Sequence, residues 1–258
     1  MMDAVLVSDE VRNLHVEVRH VPAYQPFLWL FRGAQDLGRH WGTSLGYGAL
    51  IVALGWTLLV FCGTHPYFIA AAISGFLLVG PVMSAGLCEM SRRYSNGLAA
   101  SFDESLDGFA RNYVALFEFG AILAGIAVLW FGISAVMLGP VFHITTPDMR
   151  ETLYRGFIEE TNRAQVVAYI VVGGALAAVV FALSVVAIPL MIDKHATAGQ
   201  AMRTSLRVVL HNVPAMILWS GFILVLTVIG YAPLLAGLLL VAPLLGHATW
   251  HAYQDTVH

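Results

Sequence analysis

Six long apolar runs, at about residues 43–62, 66–88, 113–138, 165–191, 213–229 and 232–253, limit what this chain can become. A helix needs about 20 apolar residues to cross roughly 30 Å of hydrocarbon, and each run is of that order. A membrane strand would instead alternate in character over about ten residues, and these runs are continuous. The chain therefore reads as all-α: a polytopic membrane helix bundle of six transmembrane helices. Composition agrees, because only 11% of residues are charged where a soluble domain carries about 25%. Mean hydropathy is +0.76.

The first run begins near residue 43, behind Asp3, Asp9, Glu10 and Glu17. That start lacks the basic opening and early apolar core of a signal peptide, so the first span is expected to be retained. Residues 1–25 read as a cytoplasmic arm and 26–258 as the transmembrane domain. Arg12, Arg19, Arg32 and Arg39 precede span one; Arg92, Arg93 and Arg111 separate spans two and three; Lys194, Arg203 and Arg207 separate four and five. The opposite side has Arg150, Arg155 and Arg163, diluted by Asp148, Glu151, Glu159 and Glu160. By the positive-inside rule both termini are cytoplasmic. No basic cluster points to nucleic acid, so the lipid bilayer is the first partner. Cys62 and Cys88 end their spans on opposite sides, too far apart to bridge.

About three amphipathic helices should lie on the cytoplasmic interface. In the first, Phe27, Leu30, Phe31, Ala34, Leu37 and Trp41 fall on one face, with Arg32, Gln35, Asp36 and Arg39 opposite, the pattern of a helix lying in the inner leaflet. The other two belong to an internal repeat. Glu104-Ser105-Leu106 and Asn112 recur 100 residues on as Thr204-Ser205-Leu206 and Asn212, each leading into a span. Both copies sit on one side of the membrane, so the repeat is parallel, unlike the inverted repeats of many transporters. Ahead of these, residues 11–21 alternate as a strand would, which fits either an extended tail or an arm pairing with a partner's sheet edge.

Ionisable groups inside spans are costly and usually face the bundle, pair, or mark a functional path. Val79-Gly80-Pro81 is followed eight residues on by Glu89, and Val241-Ala242-Pro243 eight residues on by His251. Each proline removes a helix hydrogen bond and bends its span, and the equal spacing puts Glu89 and His251 at similar depth. His247, one turn before His251, faces the same way. Glu118, a turn and a half into span three, is expected level with His247. Asp193 follows Pro189 at the end of span four. Glu89, Glu118, His247, His251, Arg92, Arg93 and Asp193 thus form a candidate inner-side polar layer. Three readings are open: a hydrogen-bonded layer fixing the helices, a transition metal or haem held by His247 and His251 with Glu118 or Glu89, or proton handling by Glu118 and a histidine. No HExxH or CxxC spacing supports the metal. A second donor set of Cys62, His65, Met137 and His143 lies on separate outer segments, and residues 151–163 read as a solvated, charged outer helix.

Residues 27–56, the run from Gly80-Pro81 to Glu89-Met90-Ser91-Arg92-Arg93, residues 189–212, and Gly246-His247-Ala248-Thr249-Trp250-His251-Ala252-Tyr253 together resemble the bacterial domain-of-unknown-function family 2189, predicted integral membrane proteins. Gln254 departs from the basic residue expected after that tyrosine. The resemblance covers most of the chain and implies a bacterial inner-membrane protein with no defined activity. Some members carry a cytochrome c oxidase subunit label, which implies at most an accessory role, since no multi-histidine catalytic core is present. The leading expectation is a non-enzymatic accessory or assembly protein, plausible near a respiratory complex and in contact with another membrane protein or a second copy. The alternatives are a metal or haem site at His247 and His251, and a small-solute or ion transporter.

Overall fold

The computed structural model describes residues 16–62, 68–138 and 163–258. His65, His143 and the charged segment from Glu151 to Asn162 lie outside them. The helices in chain order are α1 (Gln25–Arg39), α2 (Trp41–Cys62), α3 (Phe68–Ser95), α4 (Phe102–Arg111), α5 (Tyr113–Leu138), α6 (Arg163–Ser184), α7 (Ala187–Lys194), α8 (Ala198–His211), α9 (Val213–Tyr231) and α10 (Leu238–Thr256). Among the described residues there is no strand, only an isolated antiparallel bridge between Val18 and Val257. Three stretches are long and apolar enough to cross a membrane: Tyr113–Ser134, Val167–Lys194 and Val213–Tyr231. α2, α3 and α10 run to 22, 28 and 19 residues.

Proline chemistry explains where the elements differ from the runs in the sequence. The fourth run is broken at Val185 and Val186, between α6 and α7. Pro189 has no N–H to offer the carbonyl of Val185, four residues back, so the break falls where the helical bond is lost. The sixth run does not start as helix at 232. Pro233 opens a reversal in which Leu234 and Leu235 take positive φ of 51° and 70°, and α10 begins only at Leu238. Pro243 by contrast sits inside a continuous α10.

One joint is built three times. His40, Asn112 and Asn212 each leave helical geometry for a single residue, with φ/ψ of −122/38°, −149/57° and −124/38°. Each joins a short amphipathic helix to a long apolar one. The joint carbonyl accepts the N–H four residues ahead in every case: Ser44 at 2.9 Å, Leu116 at 3.0 Å and Met216 at 2.9 Å. Seven residues past the joint an aromatic ring is buried, Tyr47, Phe119 or Trp219. Seven before it stands a small buried residue, Gly33, Ser105 or Ser205. Capping boxes start α4, at Ser101 and Glu104, and α8, at Thr197 and Gln200, satisfying free N–H groups reciprocally. The two-copy repeat legible in the sequence is thus a threefold use of one motif. In the third use the helix packed on the amphipathic element comes from the far end of the chain, α10 against α1.

α1 is oriented by lipid logic. Trp29, Gly33 and Asp36 are buried against the bundle, whereas Phe27 and Phe31 of the apolar face are 57% and 62% exposed. Of the polar face expected to look away from the membrane, Asp36 turns inward and Arg32 is half-buried, while Gln35 and Arg39 stay exposed. The reason is that α10 and α3 offer Asp36 and Arg32 partners, with Arg32 pairing to Asp255 at 3.1 Å. Gly33 permits the approach, since a Cβ there would lie 2.8 Å from the Ala248 nitrogen.

The described part of the arm, 16–24, is held by its own chain and not left as a tail. Arg19 N–H donates to the Thr256 carbonyl at 2.9 Å, and His258 N–H to Glu17 at 3.1 Å. Asn212 Oδ1 accepts from Val21 N–H at 2.8 Å, and its Nδ2 donates to the Arg19 carbonyl at 3.0 Å. The strand-like alternation therefore serves pairing with the chain's own Val257. The main core packs against these elements, with Leu190, Met191, Ile192, Met216, Trp219 and Ala252 among its buried members.

Candidate functional site: a buried carboxylate and histidine layer

α10 carries His247 and His251 four residues apart, and both are buried at 0% and 9% exposure. The group that joins them is Asp36 of α1, itself 3% exposed. Ser91 Oγ donates to Asp36 Oδ2 at 2.7 Å. The same oxygen of Asp36 lies 2.9 Å from Nε2 of His251. Ser91 Oγ also lies 2.8 Å from Nδ1 of His247, and Ser44 Oγ lies 2.9 Å from its Nε2. With the single hydroxyl proton of Ser91 given to the carboxylate, His247 must donate through Nδ1, so a neutral ring accepts from Ser44 at Nε2. A continuous string follows: Ser44, His247, Ser91, Asp36, His251. Burial alone would raise the Asp36 pKa, but the hydrogen bonds from His251 and Ser91 and the nearby imidazole charge hold its carboxyl below the usual value of 3.8. Such a string can hold a proton and pass it between imidazoles.

His40 adds a third imidazole beside this string. Its Nε2 is buried with no hydrogen-bond partner among the described residues. Its ring stands edge-on to Tyr94 at 6.0 Å, and the Arg39 guanidinium lies 4.4 Å over the Tyr94 ring, an attractive cation–π geometry.

Glu89, fully buried on α3, belongs to a second cluster, made with arginines. Arg92 binds it through two donors at 2.7 and 2.8 Å, Arg111 Nε is 3.3 Å away and Arg93 3.8 Å. The hydrogen bond to Glu89 raises the Arg92 pKa despite burial. Arg93 continues outward to Glu104 at 3.4 Å and Asp107 at 3.1 Å. Gly108 lets α4 close over the carboxylate, because a Cβ there would lie 2.8 Å from Cβ of Glu89.

The expected layer is therefore two clusters with two members, Glu118 and Asp193, outside both. Glu118 is exposed on α5, since it falls on the face of that helix turned away from the bundle, beside Phe117 at 77% exposure. It is not brought to His247 or His251. Asp193 accepts from the Tyr253 hydroxyl at 2.7 Å and ties α7 to α10. Among the described residues no group of three or more His, Cys, Asp or Glu side chains is arranged to hold a metal ion, and both nitrogens of His247 are already engaged by serines. The proposed ligand set of His247, His251, Glu118 and Glu89 is thus not assembled as one cluster. Asp36, Ser44, Ser91 and Asp255 are site residues that no motif in the sequence marks. Asp255 accepts from Gln25 at 2.6 Å, Trp29 at 2.9 Å and Arg32. A usable signal existed for Asp36: it lies seven residues beyond Trp29 on the same stripe of α1 as Gly33.

No curated protein and no solved structure matches the chain. The matched family region takes in α3 to α7, including Glu89, Ser91 and Asp193, and leaves out α1 and α10, so it is narrower than the resemblance read from residues. The chain resembles the predicted integral membrane proteins of DUF2189, whose family model matches residues 68–193.

Proposed function

We propose that the chain is a six-span, non-enzymatic protein of the bacterial inner membrane, both termini cytosolic, that acts as an accessory or assembly factor for another membrane protein or for a second copy. One observation carries this reading: the acidic groups that turn into the bundle already have partners within the chain. Glu89 meets three arginines, Asp36 meets Ser91 and His251, and Asp193 meets Tyr253. Groups so engaged fix helix positions and are not free for a substrate. The exposed surface is instead apolar, as at Phe117, Val128 and Val136, 77%, 72% and 77% exposed, which suits lateral contact in a bilayer. Extraction in mild detergent, with chemical crosslinking in the membrane beforehand, tests it. A stoichiometric membrane partner or a homo-oligomer is expected, and the oxidase label makes a respiratory complex the first candidate to probe. A lone monomer after crosslinking overturns the reading.

A second reading keeps the histidines as a site for a proton or a transition metal, and one comparison favours it. Where the first joint has Asp36 and Ser44, the other two have Gly108 with Leu116 and Val208 with Met216, all buried. The joint is therefore buildable without polar groups at these positions. Metal content of the purified chain, measured beside a His247→Ala, His251→Ala variant, separates the two possibilities: equal content removes the metal.

A further inference from the structure

One face of α8 borders a cavity of about 370 Å³. Its polar lining is Gln200, Arg203, Thr204 and Arg207, spaced i, i+3, i+4 and i+7 along one stripe of the helix. Its opposite wall is apolar, formed by Val16 of the arm, Leu190 of α7 and Ala196. Arg203 and Arg207 are exposed. Among the described residues neither guanidinium is ion-paired; Arg207 donates to the Thr204 hydroxyl at 3.2 Å, which orients it along the stripe. Elsewhere at this end of the bundle arginines do have carboxylates: Arg92, Arg93 and Arg111 on Glu89, and Arg32 on Asp255.

Level and polarity identify the ligand class. α8 runs through the joint at Asn212 straight into α9, an apolar membrane-length helix that starts at Val213. Arg207 thus stands less than two helical turns before hydrocarbon begins, the depth at which phospholipid phosphates lie. Leu206, which also lines the cavity, is 39% exposed, and Leu210, one turn on, is 67% exposed. We infer that this cavity is a binding site for the phosphate headgroup of an anionic phospholipid. Arg203 and Arg207 take the phosphate oxygens with forked N–H donors, Thr204 helps to orient them, and Val16 and Leu190 cover the glycerol end. Basic pockets beside membrane helices are suited to such headgroups.

The test uses the full chain in nanodiscs. Retention of phosphatidylglycerol against phosphatidylcholine is read by native mass spectrometry, with inorganic phosphate added as a competitor. Wild type should retain phosphatidylglycerol, and Arg203→Ala with Arg207→Ala should lower its affinity about tenfold or more, since hydrogen bonds to charged groups are each strong. Arg203→Lys with Arg207→Lys keeps the charge and should lose less. Arg19→Ala removes one exposed cation that does not line the cavity and should change nothing. Equal retention by wild type and the double alanine variant overturns the site. Competition by millimolar inorganic phosphate alone overturns the lipid assignment in favour of a soluble phosphate. If the alanine pair unfolds, the lysine pair carries the decision: no loss of selectivity there, with a wild-type melting curve, counts against forked recognition.

Discussion

Asp36 and His251 stand 215 residues apart in sequence and 2.9 Å apart in space. This contact links α1 to α10, and Ser91 joins α3 to the same carboxylate oxygen. Asp36→Ala would leave the Ser91 hydroxyl and the His251 N–H without their acceptor in a buried layer. Leaving buried donors without their acceptor costs about 1–3 kcal/mol, and more where the lost acceptor is charged. Thermal unfolding in detergent should show this loss, and Asp36→Ala, His251→Ala should cost less than the sum of the two singles. Additive effects would mean that the two groups do not interact.

The same carboxylate sets an acid limit on stability. Burial pushes its pKa up, yet the bonds from His251 and Ser91 outweigh burial and leave the folded value below 3.8. A depressed folded pKa means that the unfolded chain binds the proton more readily, so this contribution is present above the unfolded value and is lost as pH falls through the folded one. Melting temperature should therefore fall on acidification below about pH 4. Asp36→Asn should flatten that part of the profile. An unchanged acid slope in the variant would assign the transition to other carboxylates.

The helical class was legible from the apolar runs because continuous hydrophobicity has few other solutions. The ends of α2, α5 and α9 were close for the same reason. The site was only half legible. His247 and His251 announced themselves by helical spacing, but their partner Asp36 sits on an amphipathic helix whose polar face would point to water in a soluble protein. In a bilayer that logic inverts: Phe27 and Phe31 can face lipid, which frees Asp36 to turn inward. Glu118 failed in the opposite sense, since depth along α5 was readable while rotation about its axis was not. The third joint leaves no trace in the sequence because His40 and Asp36 share no residue identity with Asn112 and Gly108 or with Asn212 and Val208.

Pro243 leaves the carbonyl of Leu239 without its helical donor, and α2 covers that oxygen with a glycine. A Cβ on Gly48 would stand 2.1 Å from Leu239 O and 2.8 Å from its carbonyl carbon. Backbone on one side and backbone on the other cannot yield. Gly48→Ala should therefore separate α2 from α10 and destabilise by more than the roughly 1–3 kcal/mol typical of overpacking. Gly38→Ala, where nothing lies within 4 Å of the new carbon, is the control and should be neutral or slightly stabilising. Equal melting temperatures for the two variants would deny the close approach.

Asn112 and Asn212 occupy the same position in two joints but tie different things, which gives a pair of variants with separable outcomes. Asn112 Nδ2 donates to the carbonyls of Met191 and Ala196 at 3.1 and 2.9 Å, fastening α7 to the start of α5. Asn212, fully buried, accepts from Val21 N–H and donates to the carbonyls of Arg19 and Val208. Either change to alanine orphans buried backbone groups and should cost about 1–3 kcal/mol. Only Asn212→Ala should also loosen the arm, because two of its three bonds hold residues 19 and 21. Trypsin cleavage after Arg19, followed by mass spectrometry under native conditions, should quicken in Asn212→Ala and stay at the wild-type rate in Asn112→Ala. Asn212→Asp retains the acceptor for Val21 but loses the donors, so its cleavage rate should fall between. If both alanine variants expose Arg19 equally, the arm is opened by general destabilisation and not by loss of its own anchor.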